Sequence, residues 1–171
     1  IGNGAGEGGF HFVATFGVSD AVAVSGARMF VGFQASSGAP TAVEPSTLTN
    51  CIGIGNDSTG TSMLLYYGGS AAQTPLNLNT LSGTTDFTPN TLSIDPFELS
   101  LFASSADQNV SWRVENLRTG TVVEGTIVNA TPGVTLPANT AFLTYRFQRG
   151  NNATALAVGI DIMSFSIERE F

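Results

Sequence analysis

Covalent catalysis needs a nucleophile with a base beside it, and this sequence holds one histidine, His11, and one cysteine, Cys51. His11 sits among phenylalanines in a segment of strand-like alternation and reads as a packed structural residue. Cys51 stands between Asn50 and Ile52 at the mouth of an apolar segment and reads as a buried, inert thiol. Glycoside hydrolysis asks for two carboxyls roughly 5 to 9.5 Å apart. Glu168 and Glu170 meet that spacing as i and i+2 on one strand face, but Arg169 and the chain end make a solvated edge the better reading; Asp95 and Glu98 around Pro96-Phe97 read as the start of a strand. Asn56-Asp57-Ser58-Thr59-Gly60 resembles a fragment of an oxygen-rich calcium loop without its spaced carboxylates and distal glutamate, and turn chemistry accounts for it. The residues therefore predict a non-enzymatic protein with no metal and no cofactor.

Sugar recognition asks less: an aromatic face for the apolar side of the ring, with amides, carboxylates or arginine for the hydroxyls. Tyr66, Tyr67, Trp112 and Tyr145 are the candidate rings, and Trp112, in phase with Val110 and Val114, reads as core. The run Tyr145-Arg146-Phe147-Gln148-Arg149-Gly150-Asn151-Asn152 leads from a strand into a polar turn. Tyr145, Arg146, Arg149, Asn151 and Asn152 are the expected ligand-binding residues. Asn56, Asn109, Asn129 and Asn152 each begin an Asn-X-Ser/Thr sequon, a triplet that chance supplies in a chain this rich in Asn, Ser and Thr.

Charge narrows the partners. Among 171 residues 42% are apolar and 11% charged, against roughly 25% charged in an average soluble domain. All six cations are arginine, thirteen carboxylates leave a net charge of −7, and nothing clusters positive charge as a phosphate backbone or an anionic membrane surface would require. The apolar runs are far shorter than the ~18 residues of a membrane span, so neither nucleic acid nor membrane insertion is expected. One cysteine allows no intrachain disulfide. A chain of this length can bury a sizeable core without one.

These residues must be positioned by strands. Twenty glycines, seven prolines and many Ser, Thr and Asn punctuate the sequence about every ten residues, as in an all-β sandwich or barrel, with essentially no helix. Phe10, Phe12 and Phe16 alternate with His11, Val13 and Thr15; Met29, Val31 and Phe33 continue the pattern. Ile52 and Ile54 alternate with Gly53 and Gly55, which implies a bulge or a closely passing backbone in a deep strand. Met63–Tyr67 reads as covered on both faces, and Phe97, Leu99 and Leu101 as one-sided. Val110–Leu117 and Thr121–Val128 form a hairpin across Arg118-Thr119-Gly120. Phe142–Phe147 and Ala155–Glu170 supply the last strands. Within the latter the apolar face flips near Ile162, by a bulge or by a strand that moves between sheets. The long connections Ser36–Asn50 and Ser70–Pro96 carry five of the seven prolines and read as binding surfaces or as packing against a neighbouring subunit.

Three blocks taken together resemble a C-terminal module of tailed-bacteriophage tail fibre, spike and other virion appendage proteins: Ala27-Arg28-Met29-Phe30-Val31-Gly32-Phe33, then Leu48-Thr49-Asn50-Cys51-Ile52-Gly53-Ile54-Gly55-Asn56-Asp57, and Asn151-Asn152-Ala153-Thr154-Ala155-Leu156-Ala157-Val158-Gly159-Ile160-Asp161-Ile162. The likeness runs from Gly9 to Phe171. It implies a single antiparallel β-sandwich of jelly-roll or concanavalin-like kind, commonly trimeric, on the virion surface, that recognises a bacterial surface polysaccharide or acts as a structural decoration or fibre cap against other virion proteins. Its motifs are structural and carry no binding residue with them. The expected organisation is a Gly-rich linker over 1–8 from a preceding region, and a module over 9–171 that ends at a natural C-terminus.

Overall fold

The alternation in Phe10–Val18 is that of a strand with one face in the core: Phe10, Phe12, Ala14 and Phe16 are buried while His11, Val13 and Thr15 are half-buried. This strand, β1, opens a computed structural model that describes residues 9–36, 38, 42–105, 107–151 and 154–169. The expected linker 1–8 and the chain end at 170–171 lie outside the described residues.

Nine further strands follow: β2 (Arg28–Gln34), β3 (Cys51–Asn56), β4 (Leu64–Gly68), β5 (Leu76–Asn77), β6 (Phe97–Ala103), β7 (Val110–Asn116), β8 (Thr121–Ile127), β9 (Thr144–Gly150) and β10 (Ile160–Arg169). They make two five-stranded antiparallel sheets. Sheet A has the order β10-β1-β6-β7-β8 and sheet B the order β5-β4-β3-β2-β9. The β-sandwich is thus the architecture, and two stacked sheets rather than a barrel is the form it takes.

Phe12, Phe16, Phe97, Leu99 and Val114 of sheet A meet Val31, Phe33, Ile52, Ile54 and Leu65 of sheet B in the core. The Phe33 ring bridges the sheets, 4.9 Å from Phe12 and 5.2 Å from Phe10 between centroids. A second, smaller core lies on the opposite face of sheet B, where Phe30, Cys51 and Tyr66 pack with Leu48 from the connection after β2. That layer is why β2 and β3 are buried at every residue. It also lets adjacent tyrosines go opposite ways: Tyr66 under this layer, Tyr67 against the main core. Gly53 meets the expectation of close approach, since a Cβ there would stand 2.3 Å from the Val31 carbonyl and 2.9 Å from the Phe30 ring.

Among the described residues helix is nearly absent, as expected: the 70–96 connection carries one helical turn, α1 (Leu78–Ser82), capped by the Asn77 side chain accepting from Thr80 N–H and closed by Gly83 in the left-handed region at φ 70°. Two local readings are corrected. Residues 155–159 are not strand, and β10 begins at Ile160. β9 runs on to Gly150 where a polar turn was expected, because its ladder with β2 continues to the Arg28 and Gly150 pair. The face flip in β10 is a bulge: Thr15 pairs with Ser164 and Phe16 with Ile162, so Met163 is the extra residue.

Candidate functional site

The two faces of sheet A differ in chemistry. Its outer face is left open to solvent and is built by residues between the core positions: His11, Val13 and Thr15 of β1, Glu98, Ser100 and Phe102 of β6, Ser111, Arg113 and Glu115 of β7, and Glu124 of β8. Register places them. His11 is opposite Phe102 on one side and Glu168 on the other, Ser100 is opposite Arg113, and Glu98 is opposite Glu115.

His11 Nε2 lies 3.2 Å from Ser100 Oγ on the neighbouring strand, and the Phe102 ring stands edge-on to the imidazole at 6.2 Å. Phe102 is 46% exposed. Arg113 reaches both carboxylates of the next row, 2.6 Å to Glu115 and 3.5 Å to Glu98. One face therefore presents an open aromatic ring, a hydroxyl, an imidazole, a guanidinium and a carboxylate pair. Sequence reasoning missed this group because its members come from β1, β6 and β7, and His11 and Ser100 are 89 residues apart. The only signal was the polar phase of each strand.

The residues expected to bind a ligand are not gathered in one place. Strand alternation divides them: Tyr145 and Arg149 share the face of Phe33 and Met29, their register partners, while Arg146 pairs with Gly32 on the other face. Tyr145 is half-exposed at the sandwich edge, its ring 5.4 Å from Phe165. The Arg146 guanidinium donates to the carbonyls of Ser36 and Gly38. The Arg149 guanidinium is buried against Asp20. The Asn151 amide donates to the carbonyls of Thr154 and Leu156, and Asn152 lies outside the described residues.

Elsewhere, polar groups bind the connections to sheet B. Glu44 accepts from the hydroxyl and amide of Ser58 and pairs with Arg28. Burial alone would push its carboxyl up, but the two Ser58 hydrogen bonds and Arg28 outweigh this and hold it below the ordinary value. Asp57 accepts from the Ser46 amide, and Gly60 N–H closes a turn onto the Asp57 carbonyl. Burial pushes the Tyr66 phenol well up, with the Asp57 and Glu44 charges acting the same way. Burial alone pushes the Cys51 thiol to about 12. Among the described residues, no helix is long and apolar enough to cross a membrane.

No protein-family model matches the sequence, and no curated protein does. Solved structures share the fold. A scytalido-glutamic peptidase with a transition-state analog inhibitor is 14% identical over 95% of this chain and 79% of its own, at a TM-score of 0.51. Peanut lectin with a nine-residue peptide is 12% identical over 93% of this chain and 70% of its own, at 0.53. An alginate lyase from Pseudomonas aeruginosa is 11% identical over 99% of this chain and 68% of its own, at 0.52. The fold is lectin-like.

The same comparison corrects the expectation of a non-enzymatic protein. A peptidase and a lyase are built on this sandwich, so the missing sequence motif is no ground for excluding catalysis. The physical reason is visible on sheet A, where residues far apart in the chain become neighbours across strands.

Proposed function

We propose that this chain is a polysaccharide-engaging domain of a virion appendage, and that the glycan meets the outer face of sheet A. The observation that carries this reading is the open Phe102 ring flanked by His11, Ser100 and Arg113. A ring covers the apolar side of a sugar while neighbouring donors and acceptors take its hydroxyls. The appendage assignment draws on the three sequence blocks. Tyr145, half-exposed at the edge, offers a second ring.

The domain assembles as a homotrimer in this reading, supported by the open edge between β9 and β10. Along β10, Ile162, Met163, Phe165 and Ile167 are 40 to 51% exposed. Tyr145, its ring 5.4 Å from Phe165, continues the patch. With aromatic side chains spanning roughly 150–250 Å² each, the edge shows on the order of 500 Å² of apolar surface. That is a large patch for a monomer and most of the ~800 Å² each partner gives to a standard interface.

The test is adsorption of the chain to candidate host cells, with and without periodate oxidation of their surface sugars. Saturable binding that periodate abolishes and that Phe102→Ala and Arg113→Ala weaken is the expected result; binding indifferent to both overturns it. Native mass spectrometry reads the assembly, with a trimer expected for the wild type and a monomer for Met163→Glu. A second reading, a structural cap against other virion proteins, rests on the same apolar edge. It is selected by an intact trimer that adsorbs to no host.

A further inference from the structure

We propose that Ser100 and His11 form a nucleophile and base pair that removes O-acyl groups from sugars lying on the outer face of sheet A. The choice of substrate rests on the polysaccharide reading above; the pair itself rests on geometry. Ser100 Oγ and His11 Nε2 are 3.2 Å apart, at the outer limit of the contact a base needs to take a hydroxyl proton. Both side chains are half-buried on a face open to solvent.

The neighbours complete the arrangement. Glu168 is the register partner of His11 on β10, and directly opposed residues on antiparallel strands hold their Cβ atoms ~4.5–5.5 Å apart. From that position the Glu168 carboxylate can turn to Nδ1, where it would favour the tautomer with the proton on Nδ1 and leave Nε2 free to accept. Arg113 is opposite Ser100 on β7, its guanidinium held by Glu98 and Glu115 in the next row, and it is the cation nearest the nucleophile by register. Phe102, edge-on to His11 and open to solvent, offers the acyl group or the sugar an apolar surface.

Ser100 Oγ adds to the ester carbonyl carbon while Nε2 takes the hydroxyl proton, and the negative charge gathering on the carbonyl oxygen is stabilised by the Arg113 guanidinium. Collapse breaks the bond from the carbonyl carbon to the sugar oxygen, which leaves as an alcohol with the proton from Nε2. Water then adds to the acyl-serine with Nε2 again taking the proton, and collapse releases a carboxylic acid and restores the serine. An ester suits the site better than an amide because a sugar alkoxide leaves more readily than an amine anion, so one base and one cation suffice.

Treatment of the purified chain with a fluorophosphonate probe, followed by peptide mass spectrometry, is the test. An adduct on Ser100 is expected, absent in Ser100→Ala and formed about 10²-fold more slowly in His11→Ala. Acetate release from an O-acetylated polysaccharide should follow the same order. Glu168 acts as a positioning residue: Glu168→Gln should lower kcat with KM unchanged and displace the rising limb of the pH profile. All three positions face solvent, and circular dichroism confirms that the variants fold. No adduct at Ser100, or labelling unchanged in His11→Ala, overturns the pair. An adduct without acetate release overturns the substrate class. The probe needs no glycan, so labelling without cell adsorption sinks only the polysaccharide reading, and adsorption without labelling sinks only this one.

Discussion

Arg149 holds Asp20 across 129 residues of chain, with Nε donating to both carboxylate oxygens at 3.0 and 3.1 Å and Nη2 donating to Oδ2. The side chains are 7% and 0% exposed. The Gly159 amide donates to the same carboxylate at 2.9 Å, so one buried acid ties the segment after β1 to β9 and to the approach to β10. Removing one partner of a buried pair leaves the other charge without compensation, which costs about 3–5 kcal/mol. Asp20→Ala should lose that much in urea unfolding. Arg149→Ala should lose a similar amount, whereas a residue kept only for a ligand would leave stability unchanged.

The close passage of β2 and β3 predicts that Gly53→Ala destabilises. The Cβ would meet the Val31 carbonyl, which is part of a ladder and cannot move aside as a side chain would. A loss of at least about 2 kcal/mol is expected from overpacking of this kind, read as a lower urea midpoint.

Acid should loosen the connection over β2. Because the folded protein holds the Glu44 carboxyl below its ordinary value of 4.5, its contribution is fully present above pH 4.5 and is lost as pH falls through the depressed folded value. Melting temperature against pH for the wild type and Glu44→Gln should therefore show a gap above pH 4.5 that narrows on further acidification. A constant gap would remove the charge from the explanation.

Cys51 is fully buried, its thiol is pushed to about 12, and its S–H points to the Leu48 carbonyl at 3.5 Å. A thiol reagent at neutral pH should leave the native chain unmodified and react stoichiometrically once denaturant is added. Modification under native conditions at the unfolded rate would show that the layer over sheet B opens.

Much of the fold was legible because a strand's side-chain period is two and local. Phe10–Phe16, Phe97–Leu101 and the hairpin at Arg118-Thr119-Gly120 needed only neighbours in sequence, and the structure pairs Asn116 with Thr121 as that turn requires. The flip near Ile162 was also legible, although only the β1 ladder shows that it is a bulge at Met163. The candidate site was not legible. Tyr145 to Asn152 looked like one strand running into a polar turn, but the ladder with β2 extends β9, and alternation then sends Arg149 to Asp20 and Arg146 to the carbonyls of Ser36 and Gly38.

By itself the sequence determined the fold class, the strands with one face in the core and the acidic, lysine-free surface, because each follows from composition or from a period two residues long. Only the tertiary structure decided which polar residues meet. Pairing His11 with Phe102 and Glu168 is a matter of register between strands far apart in the chain, and Ser100 then meets Arg113 across the neighbouring pair β6 and β7. That register is set by how the two sheets share Phe12, Phe33 and Phe97 in the core, and no local pattern around His11 or Ser100 encodes it.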